Sequence, residues 1–400
     1  MKVLHVIPSI APVRGGPSKA IVEMVKALRE KGIEAEIATT NDNGPNLLDV
    51  SLCKRTEYED VPAYFFPRFS PALNSVREFA FSSQLTTWLW QQVHEYDLLH
   101  VHAIFSYPST AAMALARLKQ VPYIVRPLGQ LCEWSLEQKA RKKQIYLNLI
   151  EEANLNHSQA LHLTSQQEQQ EISRLGLQIP SFILPHGLSI SPTIEDARVR
   201  LRQQLNIPAD EPIILFLSRL HPKKGLDYLI PALGKLTHHR FTFVIAGSGS
   251  PDYETEVKSL LVSHGIHNRT HFAGFAKGEA KDVLMQGADL FALTSHSENF
   301  GIAVLEALAT GLPVLVTPGV ALADLVAEKH LGYVAELDVE AIAKALQRSL
   351  ENPHEAKNIG KRARQLISEC YTWDRIASNL SDFYAKTLFS KNGKPSYSQC

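Results

Sequence analysis

Strands and helices alternate along the whole chain, which predicts an α/β protein whose parallel-sheet pattern is laid down twice. Three observations carry this. The apolar run Val3–Ile7, a Gly/Pro loop, an amphipathic helix and the apolar run Ile33–Thr39 make one βαβ unit. The alternation restarts with Ile213–Leu217, after the turn-rich stretch Pro185–Pro192. A length of 400 residues leaves room for two domains at roughly 100–200 residues each. We expect an N-terminal domain over 1–188 and a second over 189–370. The last helix, 373–389, should return to the first, and 390–400 should be a disordered tail.

The elements follow in order. Pro17 suits the first position of a helix whose face is Ile21, Met24, Val25 and Leu28, with Gly32 as its stop. Residues 41–85 read as a strand at 62–66 within a long loop, a plainer reading than a substrate platform of Tyr64, Phe65, Phe66 and Phe69. Asp97–His102 and Pro122–Arg126 read as strands around an Ala-rich helix, 109–118. Glu137–Glu152 reads as one helix with a cationic first half, Lys139, Arg141, Lys142 and Lys143. A solvated face explains such a run more simply than peripheral contact with an anionic membrane. Strands at 161–164 and 181–184 complete the first array, and 241–246, 270–272, 290–293 and 313–317 continue the second. Two such arrays without repeated sequence predict two Rossmann-like domains facing each other across a cleft.

Composition narrows the function. Lys+Arg and Asp+Glu both number 41, so the chain lacks the positive excess that nucleic-acid binding needs. Four scattered cysteines form no C-x-x-C pair and fit a reducing compartment. The uncharged stretch 307–323 contains Gly311, Pro313, Pro318 and Gly319, which does not suit a membrane span. A soluble, cytoplasmic protein is expected, without a nucleic-acid partner.

Ligands of parallel sheets bind beyond the carboxyl ends of the strands, and four constellations sit there. The first is Ser295–Glu306. Glu298 precedes an expected helix 301–310 and Glu306 lies two turns into it. At 1.5 Å per residue they stand about 12 Å apart, too far to share a proton but suited to two ends of one long ligand. Between them the helix N-terminus at Asn299, Phe300, Gly301 and Ile302 offers amides to an anion. A nucleoside diphosphate sugar has that layout; the plainer alternative makes Glu298 a dipole partner and Glu306 a surface residue. The second is Arg219 and Lys224 on a turn after 213–217, two cations able to clamp a pyrophosphate. The third is Gly15-Gly16, a weaker signal without the G-x-G-x-x-G pattern. The fourth is His100-Val-His102, whose rings alternation is expected to send to opposite faces or ends, with His102 nearer the ligand edge. No third metal ligand has recognisable spacing, there is no D-x-D, and Asp338-Val-Glu340 lies near a helix start elsewhere. No metal and no cofactor are expected.

These residues carry a resemblance that covers most of the chain. Gly15-Gly16, Leu217-Ser-Arg-Leu through Lys224-Gly225, Phe243–Gly249, Phe272-Ala-Gly-Phe275, Ala288–Ser295 and the E-x7-E from Glu298 to Glu306 resemble family-4 (group 1) glycosyltransferases of the GT-B fold. The resemblance implies that Glu298 meets the donor sugar, Glu306 the ribose, and Arg219 and Lys224 the diphosphate. It implies that Gly274 and Phe275 frame the base, with Gly16 near the diphosphate and His102 near the sugar. His186-Gly187 departs from the family's Asn-Gly at the interdomain strand end. The activity implied is retaining transfer of a sugar from a UDP- or GDP-sugar to a glycan, lipid-linked or small-molecule hydroxyl. A nucleotide-sugar epimerase and a non-catalytic sugar-binding protein are the rivals.

Overall fold

The computed structural model describes residues 1–389 of the chain, so the expected tail at 390–400 lies outside the described residues. The chain divides into two compact units: residues 1–187 with the final helix from Trp373, and residues 188–372.

The first unit holds β1 (Lys2–Val6), β2 (Glu34–Thr40), a small hairpin of β3 (Asp42–Asn43) and β4 (Asn46–Leu47), β5 (Arg55–Tyr58), β6 (Val61–Phe66), β7 (Leu98–His102), β8 (Tyr123–Arg126), β9 (Ala160–Leu163) and β10 (Ser181–Ile183). Its main sheet runs β10-β9-β8-β7-β1-β2-β6-β5, with only β5 antiparallel to its neighbour. Both faces are covered, which is why the central strands read as apolar runs rather than alternating ones. Val3, Ile37, Leu98, Ile124 and Phe182 pack with the helix Gly16–Glu30 and with Ile376, Leu380 and Phe383 of the last helix, Trp373–Phe389. Leu4, Leu99, Val101 and Leu161 pack on the other side with Leu85, Leu89 and Met113. The sequence reading missed β5, a short polar edge strand with alternating exposure.

The expected helix 137–152 is not one helix. Glu133–Glu137 ends, Lys139 turns left-handed at φ 58°, and Ala140–Tyr146 restarts before a π-helical turn, Leu147–Glu151, and the helix Glu152–Asn156. The break has local causes. The Lys143 ammonium folds back to donate to the Ser135 carbonyl, serving the end of the preceding helix, and the buried Glu151 carboxylate accepts from Thr110 Oγ1 at 2.6 Å.

The second unit holds β11 (Ile213–Leu217), β12 (Thr242–Ala246), β13 (Thr270–Gly274), β14 (Leu290–Leu293), β15 (Val314–Val316) and β16 (Gly332–Val334). All pair in parallel, in the order β13-β12-β11-β14-β15-β16. This is the doubly wound 3-2-1-4-5-6 arrangement, whose direction of winding reverses between β11 and β14. In the first unit the reversal falls between β1 and β7, which are also neighbours.

Candidate functional site

The two strongest sequence constellations follow β11 and β14, the strands that flank the switch point of the second unit. Their loops are stitched together. His296 N–H donates to the Lys223 carbonyl at 2.9 Å, and Thr294 Oγ1 donates to the Gly225 carbonyl at 2.8 Å. Gly225 is obligatory there, because its φ is +70° and a Cβ would stand 1.8 Å from the Thr294 carbonyl oxygen. This close approach places Lys224, 9% exposed, so that its ammonium forms an ion pair with Glu298. Arg219 is exposed and has no carboxylate partner among the described residues.

Glu298 is not poised directly on a helix. Its N–H donates to the Gly319 carbonyl at 2.7 Å and its carbonyl accepts from Ala321 N–H at 3.1 Å, in a strand-like bridge with Val320. The helix runs Ile302–Thr310 behind Gly301, which caps it at φ +89°. Glu306 therefore stands little more than one turn in, not two, and the helical rise does not apply between the two carboxylates. Glu306 pairs with Lys281 at 2.7 Å, a residue the sequence reading missed. The Phe300 ring is buried in the core, so that residue offers a ligand only its backbone. Gly274 ends β13, the edge strand, at φ +66°, and Phe275 beside it is 73% exposed.

In the first unit the loop after β1 is pinned from behind. Arg14 donates twice to Asp42, at 2.7 and 2.8 Å, and reaches Glu78 at 2.7 Å, while the buried Arg68 holds the same Asp42. Burial pushes the Asp42 carboxyl up, but the two guanidiniums prevail and hold it below its ordinary value. Gly15 takes φ +80°, and Gly16, rather than Pro17, opens the helix. No local pattern announces a cluster whose members lie 26 and 28 residues apart.

His100 and His102 do not point to opposite faces. Residues two apart on a strand share a side, and their ring centroids are 4.2 Å apart. With His5 of β1 they form three buried imidazoles whose nitrogens lie within 4.8 Å, a candidate metal cluster that spacing along the chain conceals. The surroundings do not suit a dication. Both His100 nitrogens are engaged, with Tyr384 Oη at 2.6 Å and His162 Nδ1 at 3.2 Å. The buried Arg126 guanidinium adds a cation whose charge acts on all three rings. Burial, the largest cause, pushes His5 down to about 3 and His100 and His102 well below their ordinary value. His186 is buried within 3.1 Å of Arg126 Nη2, and a Cβ on Gly187 would stand 2.4 Å from the Trp373 ring.

Comparison with known proteins agrees with this topology. Residues 15–185 match the model of a glycosyl transferase 4-like domain, and residues 198–366 that of glycosyl transferases group 1. The chain is 32% identical over 191 residues to an uncharacterized glycosyltransferase of Methanocaldococcus jannaschii, covering 47% of this chain and 48% of that one. It is 27% identical over 390 residues to D-inositol 3-phosphate glycosyltransferase of Xylanimonas cellulosilytica, covering 93% and 92%. The crystal structure of Anabaena HepE in complex with UDP and glucose superposes with a TM-score of 0.76 at 21% identity, covering 96% of this chain and 100% of that one, a likeness of fold. Among the described residues no helix is long and apolar enough to cross a membrane. With a 4-like domain in its first half, a group 1 domain in its second and charged loops at the switch point between β11 and β14, the chain belongs to the family-4 (group 1) glycosyltransferases of the GT-B fold, which use nucleotide-sugar donors.

Proposed function

We propose that the protein is a hexosyltransferase that moves a sugar from a UDP- or GDP-sugar to a glycan, lipid-linked or small-molecule hydroxyl, with retention and without a divalent metal. The observation that carries this is the Lys224–Glu298 pair at the switch point, with Arg219 exposed on the same loop as Lys224. Arg219 and Lys224 supply the positive charge a departing diphosphate needs, aided by the amides at Gly301 and Ile302. Glu298 orients sugar hydroxyls, Glu306 holds the ribose, and Gly274 and Phe275 border the base. In the first unit, Gly15 and Gly16 meet the diphosphate and His102 the sugar. UDP is favoured as carrier by analogy with the HepE complex.

Retaining hydrolases commonly use a carboxylate nucleophile. Glu298, tied to Lys224, is better placed as a hydrogen-bond acceptor. Transfer then proceeds on one face. The bond from the anomeric carbon to the phosphate oxygen breaks, the bond to the acceptor oxygen forms, and the acceptor proton passes to the departing diphosphate.

The acceptor side has a distinctive surface. Ile145, Leu149 and Ile150 are exposed beside exposed Lys139, Arg141 and Lys142, which supports peripheral contact with an anionic lipid surface and hence a lipid-linked acceptor.

Calorimetric titration of UDP and GDP into Glu298→Gln and Lys224→Ala tests the donor site. Lys224→Ala should weaken the preferred diphosphate about tenfold or more, since a hydrogen bond to a charged group contributes ~1.5–3 kcal/mol. Glu298→Gln removes the carboxylate that competes for Lys224. It should bind the diphosphate at least as well as the parent while transferring sugar far more slowly. Equal loss of diphosphate affinity in both variants would refute the assignment, as would loss of transfer in EDTA restored by manganese for the metal-free step.

A further inference from the structure

The histidines of the first unit form a hydrogen-bond chain whose proton positions follow from its ends. His162 Nε2 lies 2.9 Å from the Leu184 carbonyl, which only accepts, so this nitrogen carries the hydrogen. Its Nδ1 is then a bare acceptor for His100 Nε2–H at 3.2 Å. His100 Nδ1 accepts in turn from the Tyr384 hydroxyl at 2.6 Å. His100 has no free lone pair left, although it neighbours both other rings.

His102 is left with His5. His5 Nδ1 and His102 Nε2 are 3.1 Å apart, and two uncharged rings place one proton between them. If His102 donated, His5 would keep its hydrogen on Nε2, which is buried and unpartnered. A sealed donor left unpaired forfeits a strong bond, and such N–H groups are rarer than bare acceptors. The other arrangement leaves only a lone pair at that atom. Burial and the Arg126 cation keep both rings uncharged.

We propose that His5 is a positioning residue that donates from Nδ1 to His102 Nε2 and so fixes His102 in its Nδ1–H form, at the carboxyl end of β7, as a hydrogen-bond donor to the donor sugar. The sugar contact rests on the role proposed for His102 above; the tautomer does not. Register explains the pairing. His5 lies opposite His100 on neighbouring parallel strands, so His102 is its diagonal neighbour on the same face.

The test is a long-range 1H–15N correlation spectrum of histidine-labelled, ligand-free protein, with the His102 signals assigned by their loss in His102→Asn. His102 should show a protonated Nδ1 and a bare Nε2. His5→Leu should shift it toward the Nε2–H form and lower kcat/KM for transfer about fivefold, the worth of one net hydrogen bond, with diphosphate affinity unchanged. His5→Asn, which keeps an N–H near the same place, should restore both readouts. A wild-type spectrum with His102 protonated on Nε2 overturns the proposal, and needs no variant to fold. So does stoichiometric metal in the purified protein. If the tautomer is as stated but His5→Leu transfers sugar normally, the sugar contact is overturned and the tautomer assignment stands.

Discussion

Lowering the pH from 7.5 to 5.5 should unfold the first unit through its buried histidines. His5, His100, His102, His162 and His186 are each 3% exposed or less. Burial, the largest cause, pushes His5 down to about 3 and the other four well below 6.5, with Arg126 adding to the effect throughout. In the unfolded chain these rings titrate near 6.5. Below that value the unfolded state binds protons that the folded state refuses. Stability is therefore full above about pH 6.5 and is lost progressively as pH falls toward the folded values. At pH 5.5 each histidine costs roughly 1 kcal/mol, and five together cost several kcal/mol, a large share of the ~5–15 kcal/mol of a whole domain. Glu168, whose charge acts on Arg126, offsets part of this, because burial pushes its carboxyl up and the folded state takes up a proton there as pH falls. Arg126 is already a cation, brought down to about 10 by burial, and the Tyr384 hydroxyl is pushed up. Hydrogen exchange read by mass spectrometry, corrected for intrinsic rates, should show β1 and β7 losing protection between pH 7.5 and 5.5. Thermal unfolding in buffers of different ionisation enthalpy counts the protons, and several should be taken up at pH 5.5. If unfolding takes up less than about one proton, these rings titrate in the folded state and the reasoning fails.

Two further substitutions test the second unit. Gly225→Ala places a side chain at φ +70° and 1.8 Å from the Thr294 carbonyl. About 3 kcal/mol or more of lost stability should lower the unfolding midpoint of that unit by roughly 6–12 °C in calorimetry; an unchanged midpoint would show the two loops are not locked together. Lys281→Ala releases Glu306, whose partner it is. If Glu306 holds the ribose, KM for the nucleotide-sugar should rise several-fold at constant kcat, the pattern of lost uniform binding; a fall in kcat alone would argue against that placement.

Much of the fold was legible because its signals are local. Apolar runs such as Ile213–Leu217, glycine stops and the Pro185–Pro192 turn each act within a few residues, and buried parallel strands advertise themselves by composition. β5 escaped because a polar edge strand buries too little to leave a pattern, and β16 because three residues are too few. The helix expected at 137–152 broke because Lys143 and Glu151 found partners off the helix, which periodicity does not register.

The candidate site divides along the same line. By itself the sequence supplied the candidate residues: Arg219 and Lys224, Glu298 and Glu306, Gly15-Gly16 and His102. Only the tertiary structure decided the partners. Lys224 and Glu298 meet across 74 residues because β11 and β14 are neighbours, and Gly225 lets their loops touch. His5 reaches His102 across 97 residues because β1 and β7 pair in register. Residue type and spacing along a chain determine what a side chain can do; sheet order and register determine which distant side chain it does it with, because parallel pairing joins segments with no local trace of one another.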